Sequence, residues 1–165
     1  MKINKVAITS KFGSKESEKA ANGVVKKLLK LKSQVYTVAP ISVQGAKKID
    51  ALEELKKIKL DLVITLGGDG TTLRTFRNLE NETPVLAINA GGNRGILSEI
   101  SLDEFDKAIQ CIKKNQIWLD KRTRVVASCN GKQFQPALNE IYVNRKNLTK
   151  TADFEIRFQN DTVRQ

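Results

Sequence analysis

The sequence predicts an α/β protein: a parallel-sheet domain over residues 1–120, followed over residues 121–165 by part of an antiparallel, all-β domain. Three observations carry that expectation. Short apolar runs of strand length alternate with segments of helical periodicity as far as Lys114. Two of those runs end directly in glycine-rich stretches, Gly67 to Thr71 and Asn89 to Gly95. Beyond Asp120 the pattern changes to strand-like segments separated by tight-turn signals, of which Asn130-Gly131 is the strongest.

Lys5 to Thr9 reads as the first strand. Ser14 to Leu31 reads as a helix, with Ala21, Val24, Val25, Leu28 and Leu29 at the spacing of one buried stripe. Gln34 to Val38 is a second strand, stopped by Ala39-Pro40. Ala46 to Lys57, with Ile49, Leu52 and Leu55, predicts a weaker helical stretch. Leu60 to Thr65 is an apolar strand that runs into Leu66-Gly67-Gly68-Asp69-Gly70-Thr71, and Thr71 to Asn78 is the helix that follows. Pro84 to Ile88 is another apolar strand, feeding Asn89-Ala90-Gly91-Gly92-Asn93-Arg94-Gly95. Ser101-Leu102-Asp103-Glu104 has the spacing of a capping box and starts a helix to about Lys114 that buries Phe105, Ala108, Ile109 and Ile112.

Strands that are continuous apolar runs, set between helices, predict a parallel sheet covered on both faces. That is a Rossmann-like arrangement, in which ligands sit beyond the carboxyl ends of the strands. Both glycine-rich loops then share one rim. After Asp120, Arg122 to Cys129 and Phe134 to Val143 predict a hairpin, and Phe154 to Phe158 a further strand before the Asn160-Asp161 turn. So short a β segment leaves strand edges unpaired, which predicts a second domain that is incomplete or is completed by another copy.

Composition narrows the chemistry. There are no histidines, which excludes Ser-His or Cys-His catalysis and histidine-ligated metals. Acid–base work falls to carboxylate, lysine or tyrosine. Cys111 and Cys129 are too few and too far apart for a zinc site and read as free, buried thiols. No apolar run reaches the ~18 residues of a membrane helix. Met1-Lys2-Ile3-Asn4 lacks a signal peptide's apolar region, so a cytoplasmic protein without a membrane partner is expected. The net charge of +11 favours anionic partners. With one Trp and two Tyr there is little stacking surface for single-stranded nucleic acid, so phosphorylated metabolites are favoured over nucleic acid.

A strand, then glycines, then a helix start places backbone N–H groups where they can cradle an anion. The lysine of a Walker loop is missing after Gly70, and Leu73 stands where a dinucleotide fingerprint started at Gly68 needs its third glycine. Asp69 is the unusual member, because a carboxylate repels phosphate. Two roles fit it: holding Mg²⁺ through oxygen ligands, or taking a proton from a hydroxyl that attacks phosphorus. A tight turn with Asp69 as its capping residue would use the same letters.

On these residues the chain resembles the NAD kinases. The resemblance is carried by Gly67-Gly68-Asp69-Gly70-Thr71 with Leu73-Arg74 following, and by the Asn-x-Gly…Gly-x-Leu loop from Asn89 to Leu97. Lys121-Arg122-Thr123-Arg124 and the Asn139-Glu140 pair continue it, so it runs through essentially the whole chain. It implies phosphoryl transfer from ATP, or from polyphosphate, to the 2′-hydroxyl of the adenosine ribose of NAD, with Mg²⁺ or another divalent cation. Asp69 would be the base, and Gly67, Gly68, Gly70 and Thr71 phosphate or ligand contacts. Asn139 and Glu140 would hold ribose hydroxyls, Arg74 and Lys150 the pyrophosphate, and Asn89 and Arg94 would complete the nucleotide site. No protein-held metal is expected, and NAD, ATP and further copies of the chain, as a dimer or tetramer, are the expected partners.

Three departures from the family pattern stand out. The step from Gly91 to Gly95 is one residue longer than usual, and Ile96 stands where a Phe is common. The family's Thr-Pro-x-Gly-Ser-Thr-Ala-Tyr stretch, expected after residue 165, is not in the sequence. Two alternatives remain open. A lipid kinase of the diacylglycerol kinase type would place its Asn-Glu pair almost directly after the glycines. A non-catalytic nucleotide- or nucleic-acid-binding α/β module would tolerate Asp69→Asn.

Overall fold

The computed structural model describes residues 3–79, 82–91, 95–145, 149–151, 153–159 and 161–164. Its centre is β1 (Lys5–Ser10), which pairs in parallel on both sides, with β2 (Gln34–Val38) and β4 (Leu62–Leu66). β3 (Lys47–Ile49) extends the sheet beyond β2, and β5 (Val85–Asn89) and β6 (Ile100–Ser101) extend it beyond β4. All six strands are parallel, in the order β3-β2-β1-β4-β5-β6. The chain leaves β1 toward one edge and returns at β4 to build toward the other. The crevice between the carboxyl ends of β1 and β4 is therefore the switch point at which such sheets bind ligands.

Strand alternation divides the core in two. Val6 and Ile8 of β1 and Leu62, Ile64 and Leu66 of β4 face one side. There they meet Val24, Val25 and Leu28 of α1 (Lys15–Lys30) and Phe105, Ile109 and Ile112 of α3 (Phe105–Lys113). Of the α1 stripe expected from spacing, Ala21, Val24, Val25 and Leu28 are buried and Leu29 is partly buried. Ala7 and Val63 face the other side, with Val38, Ile49, Leu55, Leu60 and Leu79.

That second face is completed by α2 (Asp69–Arg77), whose buried side chains are threonines: Thr71, Thr72 and Thr75. They meet buried threonines of the strands, with Thr65 Oγ1 2.9 Å from Thr72 Oγ1 and Thr9 Oγ1 2.9 Å from Thr75 Oγ1. The Thr75 hydroxyl donates to the Thr71 carbonyl at 2.9 Å, so the Thr9 hydroxyl is left as donor to Thr75. Paired hydroxyls thus meet the rule that buried polar groups find partners.

The segment Ala46 to Lys57 departs from the helical expectation. Lys47–Ile49 joins the sheet edge, and the Glu54 carboxylate accepts from the N–H groups of Asp50 and Ala51 at 3.1 and 3.0 Å. That back-bond starts a 3-10 helix, Leu52–Lys57, so sheet pairing and a local cap outweigh helical spacing. The Ser101 box is present, with Glu104 Oε2 accepting from the Ser101 N–H at 2.9 Å and from its hydroxyl at 2.8 Å. It opens a 3-10 turn, Leu102–Glu104, one turn ahead of α3.

Beyond residue 120 the expected strands shrink. The hairpin turn is present at Asn130-Gly131, both at positive φ as a type I′ turn requires, but β7 (Ser128–Cys129) and β8 (Lys132–Gln133) are two residues each. Val125 and Ala137 add one bridge, and the rest of the two long runs finds no strand partner among the described residues. β9 (Glu155–Arg157) and β10 (Thr162–Arg164) form a separate antiparallel ribbon, while Asn160 of the predicted turn lies outside the described residues. Phe154, Ile156 and Phe158 alternate with Glu155 and Arg157 along it, and their apolar side is exposed. Cys129 is exposed, contrary to the buried thiol expected, and Cys111 is partly buried. Among the described residues no helix is long and apolar enough to cross a membrane.

Candidate active site

Three strand ends are tied together at the switch point. The Lys11 N–H donates to the Leu66 carbonyl at 2.9 Å, and the Gly67 N–H donates to the Ile88 carbonyl at 3.0 Å. Gly67 sits at φ 155°, and a Cβ there would lie 2.7 Å from Thr71 Oγ1 and 3.2 Å from Lys11 Cβ. Only glycine fits that crossing. Gly68 and Gly70 differ, since a Cβ on either would meet no protein atom within 4 Å. Packing does not demand glycine at these two positions, and their bareness leaves room above the start of α2. The Gly68 carbonyl accepts from Thr71 and Thr72 at 3.0 and 3.3 Å. The N–H groups of Asp69 and Gly70 open the helix without an intrahelical acceptor, at the positive end of its dipole.

Asp69 does not point freely into this space. Its carboxylate bridges to the second loop, where Oδ2 accepts from the Ile96 N–H and Oδ1 from the Leu97 N–H, both at 3.0 Å. The contact is made possible by Gly95, where a Cβ would fall 2.0 Å from Asp69 Oδ1. Two further groups shape the same loop. Asn89, the last residue of β5, accepts from the Gly91 N–H at 3.2 Å through its side-chain oxygen. Glu16, in the first turn of α1, lies against Gly91, with Oε2 2.9 Å from where a Cβ would stand. Two backbone donors leave the Asp69 carboxylate with unused lone pairs, so it can still accept a proton from a hydroxyl brought alongside.

The remaining predicted residues fall into three groups. Thr71 is buried, and Arg74 is exposed one turn further along α2, with Nη2 3.2 Å from the Ser10 carbonyl it donates to. Arg94 lies outside the described residues. Asn139, Glu140 and Lys150 are exposed, and among the described residues no hydrogen bond joins them to the glycine loops. The Lys150 carbonyl instead accepts from Arg145 at 3.0 Å. The structure therefore gathers Asp69, Gly67, Gly68, Gly70, Thr71, Arg74 and Asn89 at one rim.

A family profile described as the ATP-NAD kinase N-terminal domain matches residues 4–117. The chain belongs to this family. It is 31% identical to a bifunctional NADP phosphatase/NAD kinase of Methanococcus maripaludis, over 99% of this chain and 30% of that protein. It is 25% identical to an NAD kinase of Methanothermobacter thermautotrophicus, over 98% of this chain and 56% of the relative. The chain thus spans roughly a third to a half of the length of these curated relatives. The crystal structure of an NAD kinase from Archaeoglobus fulgidus in complex with ATP shares the fold, with a TM-score of 0.65, 24% identity, and coverage of 97% of this chain and 57% of that one.

Within this NAD kinase family chain, several contacts escaped the sequence. Gly95, with the Ile96 and Leu97 N–H groups, positions Asp69, yet backbone donors carry no residue signature. Arg124 Nη1 donates to the Phe76 and Leu79 carbonyls at 3.0 and 2.5 Å, capping the carboxyl end of the helix that Asp69 begins. A protein-held divalent cation does not fit this site. No cluster of three or more His, Cys, Asp or Glu exists among the described residues, and the Asp69 oxygens face N–H donors. A cation such as Mg²⁺ that keeps waters and phosphate oxygens as ligands needs no such cage.

Proposed function

We propose that the protein carries the phosphoryl-transfer site of an NAD kinase, moving the terminal phosphoryl group of ATP to the 2′-hydroxyl of the adenosine ribose of NAD. The supporting observation is the Asp69 carboxylate, held on Gly95 at the switch point in a chain of this family. In the proposed step Asp69 accepts the 2′-hydroxyl proton as that oxygen forms its bond to the γ-phosphorus. The bond from phosphorus to the bridging oxygen breaks, and ADP and NADP result.

Gly67, Gly68, Gly70 and Thr71 surround the transferring phosphate in this reading, with Arg74, Asn89 and Arg94 beside it. Asn139, Glu140 and Lys150 belong to the NAD side, and residues 1–120 and 121–165 are its two domains. Mg²⁺ accompanies the phosphates of the donor, which is ATP or polyphosphate. A homo-oligomeric, cytoplasmic enzyme completes the proposal.

One observation favours a second reading. Both Asp69 oxygens already accept backbone N–H groups, which suits a structural strut in a nucleotide-binding module without catalysis. NADP formation from NAD, ATP and Mg²⁺, measured beside Asp69→Asn, separates the two. Turnover lost in the variant, with its circular dichroism intact, supports the kinase. Equal turnover in both proteins, or none in either even after extension through the Thr-Pro-x-Gly-Ser-Thr segment, favours the module.

A further inference from the structure

The end of the sheet opposite the rim collects lysines from segments far apart in the chain. Lys5 opens β1 and pairs with Gln34, so Lys32 stands two residues before the start of β2. The Asp61 N–H donates to the Lys5 carbonyl at 2.9 Å, which brings Lys59 to the start of β4. Lys30 ends α1. α3 leaves the carboxyl end of the sheet after β6, so Lys113 and Lys114, at its far end, belong to the same group. All six are exposed, and none forms an ion pair among the described residues. The helix dipole accounts for Lys30 and Lys113, in the last turns of α1 and α3, but not for Lys5, Lys32 or Lys59. Of the acids at this end, Asp61 accepts from the Asn4 and Lys5 N–H groups at 2.8 and 2.9 Å, and Glu82 precedes β5. The balance is strongly positive.

An exposed aromatic stands beside this charge. Lys114 caps α3, Asn115 turns the chain at φ 59°, and the Gln116 N–H closes the turn on the Cys111 carbonyl at 2.9 Å. Ile117 packs on the core, and Trp118 next to it is 92% exposed. Leu119 is exposed too, as is Leu31 between Lys30 and Lys32. Tryptophan with lysine suits the headgroup layer of an anionic bilayer, where the indole sits at the boundary and the ammonium groups meet phosphates. Nucleic acid fits less well, because stacking uses successive rings and base readout favours arginine forks over point charges.

We propose that this end of the domain docks on an anionic lipid surface, held by lysine charge with Trp118 at the level of the headgroups. Docking of this kind needs no helix that crosses the bilayer. The length of β1 puts about 20 Å between this end and the rim, so a docked molecule keeps its glycine loops open to water. The proposal does not depend on the kinase reading, and its test involves no turnover.

The test is cosedimentation with vesicles of phosphatidylcholine, with and without phosphatidylglycerol. Trp118 is the one tryptophan in the sequence, so its fluorescence reports on this surface alone. The protein is expected to bind the vesicles that contain phosphatidylglycerol and not the neutral ones, with its emission shifted to the blue. Salt at about 1 M, where the Debye length is about 3 Å, should release it. Each lysine near such a surface contributes about fivefold in affinity, so Lys113→Gln with Lys114→Gln should weaken binding about 25-fold. Lys15→Gln with Lys19→Gln, the same change of charge at the other end of α1, should leave binding nearly unchanged. Trp118→Ala should weaken binding and keep its salt dependence. All of these side chains are exposed, so the variants are expected to fold. No binding to either vesicle, equal binding to both, or equal losses from the two lysine pairs overturns the proposal. Bound protein whose emission does not shift overturns it as well. Tighter binding to duplex DNA than to the vesicles, phosphate for phosphate, would assign the surface to nucleic acid instead.

Discussion

The carboxylate of Asp69 rests on the α-carbon of Gly95, in a space where even one methyl group would come within 2.0 Å of its Oδ1. A residue in the first turn after β4 is thereby fixed by the loop after β5, and the two glycine-rich stretches become one site. Gly95→Ala should expel the carboxylate and break both bonds to Ile96 and Leu97. Since misplacing a catalytic group by an ångström costs on the order of a hundredfold, kcat should fall by about that factor while the far-ultraviolet spectrum stays unchanged. Wild-type turnover in this variant would disconnect Gly95 from the chemistry.

Asp69→Asn keeps the size of the side chain and exchanges one acceptor for a donor. One of the two loop N–H groups then faces an NH₂, and the group that would take the proton is gone. NADP formation should drop by about 10²–10⁴-fold, the usual contribution of a general base.

The buried threonines give an asymmetric prediction. Thr75 donates to the Thr71 carbonyl and accepts from Thr9, so Thr75→Val removes two hydrogen bonds and strands the Thr9 hydroxyl. Its cost should be about 1–3 kcal/mol in urea denaturation, more than that of Thr9→Val. The double variant, having no unpaired hydroxyl, should cost less than the sum of the two.

Arg124 spans the Phe76 and Leu79 carbonyls at the carboxyl end of α2, where a cation also meets the negative end of the helix dipole. Arg124→Ala should lower stability by about 1–3 kcal/mol. Arg124→Lys should recover only part of this, because both bonds come from the single nitrogen Nη1, held in place by a rigid planar guanidinium that a flexible ammonium does not reproduce. Full recovery by lysine would show that charge alone matters there.

The parallel sheet and its glycine-rich rim could be read from the sequence because they rest on side-chain identity. Buried strands such as Leu62–Leu66 are continuous apolar runs, and glycines mark where the backbone must cross closely. The Ser101–Glu104 box was legible for the same reason. What escaped depends on partners. Lys47–Ile49 became a strand because β2 offered it an edge, and Glu54 capped the residues before it rather than extending a helix. The buried face of α2 is built of threonines, which no apolar stripe announces and which become suitable only opposite Thr9 and Thr65. The donors that hold Asp69 are main-chain groups, identical in every residue but proline. The long runs after Arg122 have strand composition, but strands also need neighbours, and only short pieces find them.

The double pairing of β1 also sets a schedule for synthesis. As the chain leaves the ribosome, β1, α1 and β2 emerge first, and they can cover one edge of β1. Its other edge waits for Leu62 to Leu66, because Val6 pairs with Leu62 and Ser10 with Leu66. Until then a strand that will be among the most buried in the protein presents open N–H and C=O groups, a template for mispairing with other chains. The arrival of β4 closes that edge and delivers Gly67 to its place beside Lys11 in the same event. That edge of β1 is therefore closed at the moment the rim of the proposed site begins to exist.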